Sequence, residues 1–213
     1  MPSPAIEKLG RFISRQVGEH PERARRLLHT AYNLVGVQMR LIPPKNVLPA
    51  RCMMQGATAR SMAAGLGKPG RAACVNIFLP CELLHALDVP PVLPEGLSCY
   101  LVSTAAERVF VEAAEERGVP ESYCSYHKIL LGLAETGVMA KPRFVLNTSL
   151  ACDANQLTFR RLARFWDVPH FTVDVPFSPA EDSVAYVADQ LRAMGGFVQA
   201  HTGRALTEDA LRA

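Results

Sequence analysis

The chain has 213 residues, 49% hydrophobic and 20% charged, and its 23 Lys and Arg against 20 Asp and Glu leave a net charge of +3. That length supports one sizeable core, or one domain with an appendage, and the composition is that of a globular protein rather than a disordered one. The weak charge, without a basic stripe interleaved with aromatics, argues against nucleic acid, and no apolar run is long enough to span a membrane.

The N-terminus, Met1-Pro-Ser-Pro followed by Glu7, Lys8 and Arg11, lacks the apolar stretch of a secretion signal, so a cytoplasmic location is expected. Ile6, Leu9, Phe12, Ile13 and Val17 then recur at helical spacing over residues 5–18. A second helical pattern starts near Pro21 and runs through Leu27, Leu28, Ala31, Leu34 and Val35. Its first turns carry Glu22, Arg23, Arg25 and Arg26, which read as a solvated face or, alternatively, as a surface for an anionic partner. Pro43-Pro44 closes this region, and the Gly-rich residues 45–71 read as a loop or lid with one short helix. Gly65-Leu-Gly-Lys-Pro-Gly matches neither a phosphate loop nor a dinucleotide fingerprint, because the glycine spacing and the preceding strand are missing.

From Arg71 strands and helices alternate. Ala73 to Leu79 is a compact apolar strand, Pro80 opens a helix over Cys81 to Leu87, and Val89 to Leu93 is a short second strand. Thr104-x-x-Glu107 reads as a capping box for a helix reaching Gly118, and the helix after Cys124 stops near Gly137. Phe144 to Leu146 is the third strand, Asp153 reads as the N-cap of a helix carrying Leu157, Leu162, Phe165 and Trp166, and His170 to Val173 is the fourth strand. Ser178-Pro179-Ala180-Glu181 reads as a capping box for a helix through Val184, Val187, Leu191 and Met194. Thr207 to Leu211 looks like the first turn of another helix just before Ala213, so the chain reads as a fragment or as a short form completed by a partner. The expected fold is α/β: a helical N-terminal region and linker over 1–70, then a doubly wound parallel sheet over 71–213, apparently truncated at its C-terminus. Ligands of such sheets bind outside the carboxyl ends of the strands.

Six cysteines in a cytoplasmic chain are thiols or metal ligands rather than a disulfide framework. Cys124, Cys152 and Cys81 each sit where a loop hands over to a helix, at or beside a strand end, where unpaired N–H groups and the positive end of the helix dipole suit a thiolate ligand. The plain alternative is that isolated cysteines are small buried hydrophobes. Cys52, Cys74 and Cys99 read as structural, with Cys74 in a strand and Cys99 near a turn. Cys81-x-x-x-His85 and Cys124-x-x-His127 have zinc-like spacing, but no second tight pair completes a tetrahedral set.

Four blocks carry a resemblance: Phe78-Leu-Pro-Cys-Glu-Leu-Leu-His-Ala-Leu-Asp-Val-Pro-Pro-Val, Tyr123-Cys-Ser-Tyr-His-Lys, Cys152-Asp153 and Phe171-Thr-Val-Asp-Val-Pro. In order and spacing, over roughly 71–213, they resemble the 2-hydroxyacyl-CoA dehydratase family, which includes the 2-hydroxyglutaryl-CoA dehydratase D component, benzoyl-CoA reductase subunits and double-cubane cluster proteins. The resemblance implies an oxygen-sensitive iron–sulfur protein with flavodoxin-like lobes, a [4Fe-4S] cluster, an acyl-CoA substrate and a homo- or heterodimeric assembly. It also implies an ATP-hydrolysing activator that delivers one electron, which passes to the thioester carbonyl so that a ketyl radical expels the hydroxyl group. Cys124 and Cys152 match the family's first two cluster cysteines. The third lies in a C-terminal lobe absent from this sequence, and Cys81 is the candidate stand-in. An incomplete thiolate set leaves one iron open for a substrate oxygen.

Beside the cluster, Ser125, Tyr126 and His127 are candidates to hydrogen-bond a sulfur or the substrate carbonyl, and Glu82 is a candidate acid or base. The plainer readings have Tyr126 packed, His127 exposed at a helix start and Glu82 at the surface or in a capping role. The expected activity is that of a dehydratase-type lyase or a reductase subunit. Two other readings stand beside it: a double-cubane-type reductase of small molecules, and a non-catalytic subunit or interaction module. The lack of a phosphate loop argues against the chain being its own activator.

Overall fold

A computed structural model describes residues 4–103, 105–150, 152–178 and 180–212. Three helices come first, Pro4–Glu19 (α1), Pro21–Leu41 (α2) and Pro49–Gly65 (α3). Then follow Ala73–Val75 (β1), Glu82–Ala86 (α4), Pro91–Val92 (β2), Pro94–Ser103 (α5), Arg108–Glu116 (α6) and Ser125–Glu135 (α7). Phe144–Thr148 (β3), Asp153–Trp166 (α8), His170–Val173 (β4), Ser183–Thr202 (α9) and Glu208–Arg212 (α10) complete the order.

The sheet runs β2-β1-β3-β4 with every pair parallel, Cys74 standing beside Val145 and Asn147 beside Thr172. Strand periodicity divides the core. Cys74 and Val145 point into a cluster with α2, α3 and α5 to α8, whereas Ala73, Val75, Phe144 and Leu146 point into a second cluster with α4 and α9. Burial on both faces is why these strands read as unbroken apolar runs. The order reverses between β1 and β3: the chain leaves β1 toward β2 on one side and β3 toward β4 on the other. That opens a crevice at their carboxyl ends.

Residues 45–71 depart most from the expectation of a loop or lid, since α3 alone spans 17 residues. Its glycines serve close packing rather than flexibility. A Cβ on Gly65 would lie 2.5 Å from Val92 Cγ1, and one on Gly56 3.4 Å from Met39 Cβ on α2. On α2 the buried face is Ala24, Leu28, Tyr32 and Gly36, so Leu27 and Leu34 of the expected stripe are exposed instead. The capping boxes also change. Glu107 itself is the N-cap of α6, with no side-chain cap, and Asp182 precedes α9. Thr104 and Pro179 lie outside the described residues. α5 had no counterpart in the sequence pattern, and it puts Cys99 on an exposed helical turn. α9 runs straight through Gly195-Gly196, and Thr207 Oγ1 accepts from the Ala210 N–H to start α10.

Candidate functional site

β1 ends at Val75, four residues sooner than the apolar run to Leu79 suggests, because Asn76 turns its side chain across the sheet. Its Oδ1 accepts from the Thr148 N–H at 3.1 Å, and its Nδ2 donates to Thr148 Oγ1 at 3.2 Å and to Asn155 Oδ1 at 3.1 Å. Asn155, in the first turn of α8, donates in turn to Glu95 Oε1 at 3.0 Å, which also accepts from the Ile77 N–H at 3.3 Å. This buried chain of amides closes the β1–β3 crevice and ends on a carboxyl from the first turn of α5. Burial pushes Glu95 above the ordinary carboxylate range, against hydrogen bonds from its own backbone, Ile77 and Asn155 that lower it. Its second oxygen, Oε2, is buried without a partner.

Cys124 and Cys152 flank this crevice as the N-caps of α7 and α8, and both thiols are exposed and free. Cys152, not Asp153, is the cap of α8; Asp153 is the acidic residue of its first turn, favourably placed against the helix dipole. The two helices pack together, and Tyr123 ties their starts. Its hydroxyl donates to the Ala154 carbonyl at 2.8 Å and lies 3.0 Å from Thr158 Oγ1. Buried Lys128 anchors α7 from below, its Nζ 2.6 Å from Glu115 Oε1 and 2.8 Å from the Glu121 carbonyl.

His127 faces inward. It is 6% exposed, with Nε2 4.0 Å from Cys152 Sγ and a buried Nδ1 that has no partner, and burial lowers its pKa from 6.5. Tyr126 is the outward residue of the pair. Its hydroxyl is 3.9 Å from Cys99 Sγ, and that contact raises its pKa. The plain reading of these two residues is therefore reversed: helical phase turns His127 toward α8 and Tyr126 to the surface. Ser125 is exposed at the start of α7.

Cys81 stands apart as the N-cap of α4. It is half-buried, donates to the Leu79 carbonyl at 3.3 Å, and shares a cavity with Ser61, His85 and Leu93. Burial, with the Glu82 carboxylate beside it, pushes its thiol up to about 11. Glu82 is exposed in the first turn of α4. Cys52 and Cys74 are buried. Among the described residues no group of three or more His, Cys, Asp and Glu side chains converges as a metal-binding set. Sequence reasoning missed Asn76, Glu95 and Asn155. The apolar run hid the first, an unrecognised helix the second, and the third had no signal until β1 and β3 were known to be neighbours.

Comparison with known proteins supplies the context. The sequence is 24% identical over 126 residues to the (R)-phenyllactyl-CoA dehydratase alpha subunit of Clostridium sporogenes, covering 55% of this chain and 31% of that protein's length. The sequence profile of the 2-hydroxyglutaryl-CoA dehydratase D-component matches residues 76–213, from the asparagine just after β1 through Cys124 and Cys152, and the chain belongs to that family.

Proposed function

We propose that this chain is the cluster-binding part of a 2-hydroxyacyl-CoA dehydratase-type subunit: a helical layer over 1–70 and a flavodoxin-like lobe over 71–213, working in the cytoplasm. Support for the flavodoxin-like reading comes from the strand order, which matches the first four strands of the 2-1-3-4-5 arrangement. The observation that carries the functional reading is the pair of exposed thiols capping α7 and α8 at one edge of the sheet, within the segment that matches the family.

Two free thiols at helix N-termini fit one edge of an iron–sulfur cluster of the [4Fe-4S] type, and Cys124 and Cys152 are the residues that would hold it. The remaining ligation would come from a partner polypeptide, with Cys81 a more distant candidate. When bound, the cluster supplies one-electron chemistry to a thioester carbonyl after reduction by an ATP-dependent activator. His127 would orient the Cys152 sulfur, Ser125 would meet substrate at the exposed helix start, and Glu82 would contribute only near Cys81. Glu95 is the better-placed proton carrier, since its burial favours the protonated form and its fixed hydrogen bonds hold it at the crevice. Dehydration moves one proton off the acyl chain and one onto the departing hydroxyl, and Glu95 is suited to hold a proton between these steps.

The experiment is turnover of a panel of 2-hydroxyacyl-CoA thioesters by the chain with its partner subunit and an ATP-dependent activator, followed as enoyl-CoA formation. The reading predicts turnover in the wild type and a loss of about 10²-fold or more in Glu95→Gln. A cluster-loaded assembly that turns over no thioester in the panel would overturn it. The two-thiol set also favours a second reading, a non-catalytic subunit. On that reading the chain would fold normally and bind its partner but raise no activity. A double-cubane-type reductase would need further cysteines at the same edge, whereas Cys52 and Cys74 are buried in α3 and β1.

A further inference from the structure

At the opposite edge of the sheet, where the chain enters β1 and β2, a cleft of about 710 Å³ is ringed by Arg25, Arg26, Arg60, Lys68 and Arg71. No carboxylate lines it, and none of the five cations has an ion pair to a carboxylate among the described residues. Some exposed arginines elsewhere do pair, as in Arg15–Glu19, Arg108–Glu112 and Arg192–Asp189, and others such as Arg51 and Arg164 stand singly, so what sets the cleft apart is five cations around one concavity without a carboxylate in its lining. Five like charges gathered around one concavity repel one another and focus a positive potential into it.

The wall is fixed rather than floppy. His29 Nδ1 donates to the Ala63 carbonyl at 2.8 Å, Asn33 donates to His29 Nε2 at 3.1 Å, and the Arg60 stem packs over Gly36. The floor is apolar, with Leu66, Ala72 and Pro90. The volume is of the size that holds a small cofactor. A rim of fork-shaped guanidinium donors over an apolar floor suits several phosphates attached to a flat ring.

We propose that this cleft binds a multiply phosphorylated nucleotide, its phosphates on the arginine rim and its base on the apolar floor. The cleft lies one sheet length from the thiols, about 17 Å along the five residues of β3, so it is a separate site that does not depend on the cluster reading. The nucleotide could be free or could be the phosphorylated adenosine end of coenzyme A, and the two are separable by experiment.

Calorimetric titration of the full chain at low ionic strength would use ATP, coenzyme A and inorganic pyrophosphate, on the wild type, Lys68→Glu/Arg71→Glu and Cys152→Ala. Expected are saturable one-to-one binding of a nucleotide, weaker binding of pyrophosphate, at least about tenfold loss in the double variant, and no change in Cys152→Ala. Preference for coenzyme A over ATP would assign the cleft to the thioester's carrier, and equal or stronger ATP binding to a free nucleotide. The double variant should unfold at the same or a higher temperature than wild type, because it relieves repulsion. No saturable binding, affinity unchanged in the double variant, pyrophosphate binding as tightly as ATP, or a random RNA oligomer outcompeting every mononucleotide would each overturn the proposal.

Discussion

Replacing Asn76 by Ala is the sharpest probe of how the crevice is built. The side chain is wholly buried and makes three hydrogen bonds, two to Thr148 and one to Asn155. Truncation strands the Thr148 N–H and deprives Asn155 Oδ1 of its donor. At about 1–3 kcal/mol for each of these two buried groups, the loss is about 2–6 kcal/mol. For a chain of this size, that corresponds to a fall in Tm of roughly 4–24 °C. Thr148→Val keeps the backbone donor and removes only one acceptor, so it should cost about 1 kcal/mol. Thermal and urea unfolding followed by circular dichroism measure both. An Asn76→Ala loss below about 1 kcal/mol, or no larger than that of Thr148→Val, would refute the view that this network holds β1, β3 and α8 together.

Two glycine substitutions should act in opposite directions. A Cβ on Gly132 would run into the Phe110 carbonyl, so Gly132→Ala must part α6 from α7 and should cost about 3 kcal/mol or more, whereas Gly196→Ala meets nothing and should stabilise α9 by about 0.5–1 kcal/mol in the same unfolding assay. Burial lowers the pKa of both His127 and His170 from 6.5, with Arg160 adding to the effect at His170. Below that pH the unfolded chain therefore takes up protons that the folded chain refuses, and stability should fall as pH drops from about 6.5 toward 5. Melting curves across this range should show a shallower fall in His127→Gln, and an unchanged slope would contradict the assignment. In the metal-free chain, timed alkylation read by mass spectrometry should modify the exposed Cys99, Cys124 and Cys152 first. Cys81, with its pKa pushed up to about 11, and the buried Cys52 and Cys74 should lag.

The alternation of strands and helices after Arg71 was legible because both faces of the sheet are covered, which leaves Ala73–Val75 and Phe144–Leu146 as plain apolar runs. The loop-to-helix positions of Cys124 and Cys152 were legible for the same reason, since each follows such a run or precedes a clear helical pattern. Helix α3 was not, because Gly56 and Gly65 look like linker residues in sequence and act as close-contact residues in space. The inward turn of His127 depends on helical phase against α8, a tertiary fact. Glu95 and Asn155 belong to the crevice only because β1 and β3 pair residues 71 positions apart, as Ala73 with Phe144, and no local pattern encodes that pairing.

Anaerobic purification and reconstitution with iron and sulfide quantification, on wild type, Cys124→Ala and Cys152→Ala, tests the proposal that these two thiols hold one iron–sulfur centre. Stoichiometric iron and sulfide are expected in the wild type, alone or with a partner subunit, with loss in both variants. A folded wild-type assembly without iron, or variants that retain it, would overturn the proposed site.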